Sequence, residues 1–325
     1  MSVCPRSVRL AIFRFVCCTL IWGGSCFVSD LTAANRTREQ LLEGRARVAA
    51  DMEIVAFKRI PDVITKRRNE RGRLERDRKV DYLDLRLSIV RPPPAETEAG
   101  GAIARPAVLF FHGGGFQSGS PEQFFLQAKY FAARGAVAFC VEYRLKDRVE
   151  VTIAQQVIDA RSALRWVREN AAALQIDPRQ VIAAGGSAGG YLALASAVLP
   201  HSDSIEVPDA VVLYNPAIDF ERFVGDRGRG RLEDSIGGTV EQFSSTPNLR
   251  AGLPPIIIFQ GEEDEKTPLV DARNFTERAH ALELRCELVT FQKVGHGFHN
   301  RDPYIEDCAQ QAVNFLRDEG FALGQ

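Results

Sequence analysis

The chain has 325 residues, 45% of them hydrophobic and 26% charged, with a formal net charge of -1. That length and apolar content supply a large core and exclude a disordered or collagen-like chain. The near-zero net charge gives no global field for nucleic acid or an anionic membrane surface.

Residues 1–34 differ from the rest. Arg6 and Arg9 precede an apolar run from Leu10 to Trp22, broken only by Arg14 and Thr19. The run is shorter than the ~20 residues of a spanning helix. Its flanks are those of a secretory signal peptide, with Thr32-Ala33-Ala34 as small residues for cleavage. The expectation is export, periplasmic or secreted, with no stable membrane span after leader removal; an uncleaved anchor is the alternative. Gly24-Ser25-Cys26 resembles the end of a lipoprotein cleavage box, but Gly23 stands where Leu is usual.

Of seven cysteines, Cys4, Cys17, Cys18 and Cys26 lie in this leader, leaving Cys140, Cys286 and Cys308. With no Cys-x-x-Cys and no His-rich cluster, no metal site is expected. Cys140 and Cys286 sit in apolar strand-like runs and read as buried thiols, with one disulfide among the three left open.

Residues 35–79 form a highly charged region, a candidate partial cap over a site. A helix is predicted over Arg36 to Val55, with Leu41, Leu42, Val48, Met52 and Val55 as its apolar face. Lys66-Arg67-Arg68 and Arg71 to Lys79 are basic, but Glu70, Glu75 and Asp77 interrupt them and no aromatic residue comes before Tyr82. That pattern predicts a solvated loop or hairpin, not a nucleic-acid surface.

Residues 80–320 read as one domain. Tyr82 to Val90 alternates with period two, a half-buried strand. Ala107 to Phe111 is a continuous apolar run, a strand buried on both faces, and it feeds His112-Gly113-Gly114-Gly115. A helix follows over Pro121 to Arg134, then a strand over Ala136 to Tyr143 and a helix over Ile153 to Leu174. Val181 to Ala184 is a strand and Gly190 to Val198 a helix. Ala210 to Leu213 and Pro255 to Phe259 are strands, Val270 to Leu282 a helix, Leu288 to Phe291 the last strand and Ile305 to Leu316 the last helix. Strands alternating with helices define an α/β chain with a doubly wound, mostly parallel sheet and helices on both faces. Residues from about 217 to 252 break the rhythm; they are Gly- and Arg-rich, and a segment of that length is expected to pass over the sheet as a lid.

Four loops carry chemistry. Gly185-Gly186-Ser187-Ala188-Gly189 sits between a strand and a helix, where a serine hydroxyl projects from the strand's carboxyl end. Serine needs a base, and an imidazole needs a carboxylate to fix its tautomer. His296 and His299 share the loop after the last strand; His296 is better placed to reach Ser187, because His299 lies nearer the last helix. The carboxylate is expected from the loop after Ile256-Ile257-Ile258, where Glu262, Glu263 and Asp264 compete; Asp159, inside a helix, is the rival from elsewhere. The glycines after His112, with the amide of Ala188, can hold an oxyanion.

In this order the motifs resemble the α/β-hydrolases, and more closely the His-Gly-Gly-Gly esterases: the hormone-sensitive-lipase-like bacterial esterases and the feruloyl-esterase-like and acetylxylan-esterase-like hydrolases beside them. The resemblance covers Tyr82 to Leu316. It rests on His112-Gly113-Gly114-Gly115-Phe116, Tyr143-Arg144-Leu145, Asp159 with Ala163-Leu164-x-Trp166, Gly185 to Gly190, Gly261-x-x-Asp264-x-x-x-Pro268 and Gly295-His296-Gly297-Phe298. It implies Ser187 as nucleophile, Asp264 as the acid, His296 as the base, and the amides of Gly114 and Gly115, beside Ala188, as the oxyanion hole. It implies a carboxylic-ester hydrolase that needs no cofactor and acts on a short-chain or polysaccharide-linked ester. Gly186 and Lys146-Asp147-Arg148 depart from the lipase-like pattern of Asp and Ala-Pro-Glu, which points to the feruloyl-esterase-like side, and Gln260 stands where the family usually has His. A prolyl-oligopeptidase-like peptidase with the same triad and a non-catalytic binding protein are the alternatives.

Overall fold

The computed structural model describes residues 38–50, 52–93, 104–225 and 228–324. The expected leader and lipoprotein box lie outside the described residues.

Eight strands form one sheet among the described residues: β1 (Glu53–Arg68), β2 (Leu74–Val90), β3 (Arg105–Phe111), β4 (Val137–Val141), β5 (Ile176–Gly186), β6 (Ala210–Tyr214), β7 (Ile256–Gly261) and β8 (Cys286–Phe291). Their order across the sheet is β1-β2-β4-β3-β5-β6-β7-β8. The β1–β2 and β2–β4 pairs are antiparallel and every later pair is parallel. The central strands are buried on both faces because they are continuous apolar runs, such as Ala210-Val211-Val212-Leu213-Tyr214.

The period of two sorts each strand between two cores. Leu109, Phe111, Ala183, Val211, Leu213, Ile256 and Ile258 face one core; Val108, Phe110, Ile182, Ala184, Val212, Tyr214, Ile257 and Phe259 face the other. On the first face pack α3 (Ile153–Glu169), α5 (Ala188–Val198) and α8 (Leu269–His280). On the second pack α1 (Arg38–Ala50), α2 (Phe125–Ala132) and α9 (Tyr304–Asp318). Each fully buried Ile or Phe is worth about 1.5–3 kcal/mol of transfer free energy. Short helices α4 (Ala171–Leu174), α6 (Arg229–Ile236) and α7 (Val240–Phe243) complete the set.

The first predicted helix stops at Ala50, and Glu53 already begins β1. Ile54, Val55 and Ala56 pair with Ser88, Leu87 and Arg86, so sheet pairing overrides the helical spacing of Val55. Leu41 and Val48 are buried, whereas Leu42 is 53% exposed. The basic stretch is a long hairpin. Its Arg67 faces Asp77, Lys79 faces Asp62 and Arg76 faces Glu150, so its cations sit beside acids. Register shifts at Ala56/Lys58 and Ile64/Lys66 and dense charge protect this edge strand from further pairing. The strand expected from Tyr82 begins at Leu74, so the division expected between residues 79 and 80 falls inside β2. Residues 34–325 form one compact unit.

The helix predicted over Ile153 to Leu174 is broken at Asn170, where α3 ends and α4 begins. Thr152 and Gln155 cap its start reciprocally. Pro121–Phe124 is a 3-10 turn ahead of α2. The excursion carries α6, α7 and two 3-10 turns. Cys140, Cys286 and Cys308 are free, buried thiols.

Candidate active site

β5 ends at Gly186, and Ser187 turns the chain into α5 with φ 54° and ψ -119°. A non-glycine residue held there costs on the order of 1–3 kcal/mol, which the surrounding structure must offset. The Ser187 N–H donates to Tyr214 O at 3.0 Å, and Ser187 O accepts from Tyr191 N at 3.0 Å and Ala217 N at 3.1 Å. Gly189 lets the first turn of α5 press on β3, since a Cβ there would collide with the carbonyl oxygens of Phe111 and His112.

Ser187 Oγ lies 2.9 Å from His296 Nε2. His296 Nδ1 lies 2.8 Å from Oδ2 and 3.1 Å from Oδ1 of Asp264. A carboxylate only accepts, so Nδ1 carries the proton and Nε2 is free to take the hydroxyl hydrogen. Asp264 is closed from solvent, with side-chain exposure of 0% against 19% for His296. Its Oδ1 accepts from the N–H groups of Lys266 and Thr267, both at 2.9 Å, and its Oδ2 from Thr267 Oγ1 at 3.0 Å. Burial pushes the Asp264 carboxyl up, but the bonds from His296 and Thr267 outweigh it, so its pKa sits below the usual carboxylate value. Gln260 staples the same loop: its Nε2 donates to Thr267 O at 2.7 Å and to Asp264 Oδ2 at 3.3 Å.

Gly113, Gly114 and Gly115 border the same cavity as Ser187, Ala188 and His296. The Gly113 N–H is occupied by Gln123 Oε1. Among the described residues the N–H groups of Gly114, Gly115 and Ala188 have no acceptor, and that leaves three donors beside Ser187. The cavity is about 950 Å³. Phe116, Ile153, Phe220, Phe223 and Leu232 give it apolar walls, and Lys146, Arg222 and Arg231 give it a cationic rim.

The rivals named from sequence go elsewhere. Asp159 is buried between Lys58 Nζ at 2.8 Å and Arg144 Nε at 2.7 Å, away from the cavity lining. Glu262 and Glu263 are exposed. His112 stacks on Tyr143 with ring centroids 4.4 Å apart, and burial lowers its pKa to about 4. His299 borders the same cavity, but its Nδ1 is bonded to Asn215 Oδ1 at 2.9 Å and not to Ser187. Gln123, Asn215 and Thr267 were not singled out from sequence. Each is a single polar residue in a loop or short turn, and only the folded chain shows which backbone groups it meets. Among the described residues no group of three or more His, Cys, Asp and Glu could hold a metal ion, and no helix is long and apolar enough to cross a membrane.

The parallel sheet, the strained serine turn and the acid and histidine loops in that chain order are those of an α/β hydrolase. The α/β-hydrolase fold family matches residues 108–300, more than half of the chain. The chain belongs to the α/β-hydrolase fold family, among its esterases. A propionate-bound esterase from the planctomycete Thermogutta terrifontis is 35% identical, with a TM-score of 0.69 over 83% of this chain and 95% of that one. Esterase LipC of Mycobacterium tuberculosis is 29% identical over 59% of this chain and 53% of its own length. Endo-1,4-beta-xylanase B of Butyrivibrio fibrisolvens is 26% identical over 60% of this chain and 33% of its own. The chain thus spans one third to about half the length of these two curated relatives.

Proposed function

We propose that the chain is a serine carboxylic-ester hydrolase that works through an acyl-enzyme on Ser187. The observation that carries this is the continuous line from Ser187 Oγ through His296 to Asp264, at 2.9 Å and 2.8 Å.

His296 Nε2 takes the Ser187 proton as Oγ attacks the ester carbonyl. The carbonyl oxygen gains the charge and is held by the amides of Gly114, Gly115 and Ala188, each such donor being worth about 3 kcal/mol. His296 then gives its proton to the alkoxide leaving group, the C–O bond breaks, and the acyl group stays on Ser187. Water, deprotonated by His296, attacks the acyl carbon, and collapse returns the proton to Ser187 Oγ with release of the acid. Asp264 holds the imidazole in the Nδ1–H tautomer and stabilises the imidazolium.

A short acyl group with a larger alcohol part suits the substrate. Propionate occupies the Thermogutta esterase. The match to part of a xylanase favours a polysaccharide-linked ester as one such substrate. Residues 217–252 serve as a cap, because Phe220, Phe223 and Leu232 from that segment wall the cavity. Helix α1 in the charged region serves as a second, partial cap: its Leu41, Leu42 and Arg45 cover a neighbouring cleft of about 910 Å³ that shares Gly113, Gln123 and Asn300 with the first. The leader-like residues 1–34 support export.

Hydrolysis of p-nitrophenyl acetate, butyrate and longer esters by wild type and Ser187→Ala tests the proposal. The variant should lose at least about 10³-fold in kcat/KM, and wild type alone should take a fluorophosphonate label. Equal rates for the two proteins would overturn it. An acyl-length series extended to acetylated xylan resolves the substrate class.

A further inference from the structure

Asn215 and His299 border the cavity beside Ser187 and His296, and no step above uses either. Asn215 follows β6 and contacts the acid loop and the histidine loop. Its N–H donates to Phe259 O at 2.7 Å, and its carbonyl oxygen lies 3.2 Å from Thr267 Oγ1, beside the acid. Its side-chain Oδ1 accepts two hydrogens, from the N–H of Gly297 at 3.2 Å and from Nδ1 of His299 at 2.9 Å. Gly297 is the residue after His296.

His299 is fixed in turn. Its ring stacks on Phe124 and Tyr214, with centroids 5.6 Å and 5.1 Å away. Its Nε2 accepts from Asn300 Nδ2 at 2.9 Å. One ring nitrogen donates and the other accepts, so the imidazole carries a single proton. Burial, with His296 nearby, agrees, lowering its pKa to about 3.

We propose that Asn215 is a positioning residue for His296: its side-chain carbonyl gathers Gly297 and a neutral His299, and so fixes residues 295–300 against the end of β6. This rests on the ester-hydrolase reading above. The amide oxygen suits this place, although the Nδ2 beside it is buried without a partner among the described residues. The oxygen takes both hydrogens without adding charge beside the base. Asn also tolerates the left-handed backbone at this position, where φ is 38°.

Two variants test it. Asn215→Gly keeps the backbone conformation and deletes the amide. Asn215→Asp keeps the acceptor and the backbone preference but adds a charge. Asn215→Gly should lower kcat on the order of 10²-fold, as a misplacement of about 1 Å does, with KM little changed. Asn215→Asp should move the acid limb of kcat/KM up by about one pH unit, because a nearby carboxylate favours the imidazolium. A residue that only filled space would lower Tm and leave both readouts unmoved. Wild-type kcat in Asn215→Gly, or an unmoved limb in Asn215→Asp, would overturn the proposal. If Asn215→Gly fails to fold, Asn215→Asp decides alone. Wild type no faster than Ser187→Ala would instead sink the ester-hydrolase reading. The clamp is then read by nitrogen NMR of histidine-labelled protein: His299 should stay a neutral Nδ1–H imidazole from pH 5 to 9 in wild type and protonate within that range in Asn215→Asp, and a charged His299 in wild type would overturn it.

Discussion

A Cβ built on Gly186 would lie 2.8 Å from Nε2 of His299. The residue before Ser187 is therefore glycine because an imidazole, held by Asn215 and Asn300, occupies the space. A flexible neighbour could move aside; this ring is buried and clamped. Gly186→Ala should cost about 1–3 kcal/mol of stability, the usual range for overpacking. In a double-mutant cycle with His299→Ala, the second change should relieve much of the first. Urea denaturation of the four proteins measures it, and simple additivity would show that the contact carries no strain.

The acid loop makes a sharper claim about function. Glu262, Glu263 and Asp264 are adjacent, yet only Asp264 turns inward and meets His296. Asp264→Asn keeps the shape but favours the wrong histidine tautomer, and kcat should fall by about 10⁴-fold. Glu262→Gln and Glu263→Gln are surface changes and should stay within about twofold. Steady-state kinetics of the three variants separates them; comparable losses in all three would move the acid's role away from Asp264.

Much of this was legible because backbone and side-chain patterns agree along the central strands. Ala107 to Phe111 and Val181 to Ala184 are apolar without a break, and only a two-faced buried strand accepts that. Ser187 was legible from its glycines, and His296 from its loop. The edge was harder. Glu53 to Val55 fit the end of a helix as well as a strand, and only pairing with Leu87 to Ile89 decides. Asn215 and Gln123 were invisible, since their roles depend on backbone N–H groups distant in sequence: Gly297 lies 82 residues from Asn215.

The proposed cap depends on a different residue. Lys146 Nζ donates to Ser235 O at 2.8 Å and to Ser235 Oγ, and so ties α6 to the loop after β4. Burial, with Lys66 nearby, lowers its pKa to about 8. Arg231 and Leu232 of α6 line the cavity, whereas Ser187, His296 and Asp264 are held without it. Lys146→Met should therefore raise KM for p-nitrophenyl butyrate by roughly threefold to tenfold, or about 1 kcal/mol of uniform binding, and leave kcat within about twofold. A loss confined to kcat would mean that α6 acts on the chemistry and not on binding.

His112 and His299 set a pH limit on stability. Burial lowers their pKa values from the ordinary 6.5 to about 4 and about 3. The unfolded chain takes up these two protons near pH 6.5, and the folded chain resists them. A folded pKa below the unfolded one means that the stability is fully present above about pH 6.5 and drains away as pH falls through 4 and 3. Each pKa unit is worth 1.36 kcal/mol, so at the acid end His112 accounts for on the order of 3 kcal/mol and His299 for on the order of 5 kcal/mol. Asp264 adds a smaller loss only below its ordinary value of 3.8. The urea midpoint should fall steadily between pH 6.5 and 4.5, before most carboxylates protonate. His299→Gln should flatten that slope by about half, despite starting from a lower midpoint. A flat midpoint in wild type over pH 6.5 to 4.5 would mean that these imidazoles take up protons without opening the fold.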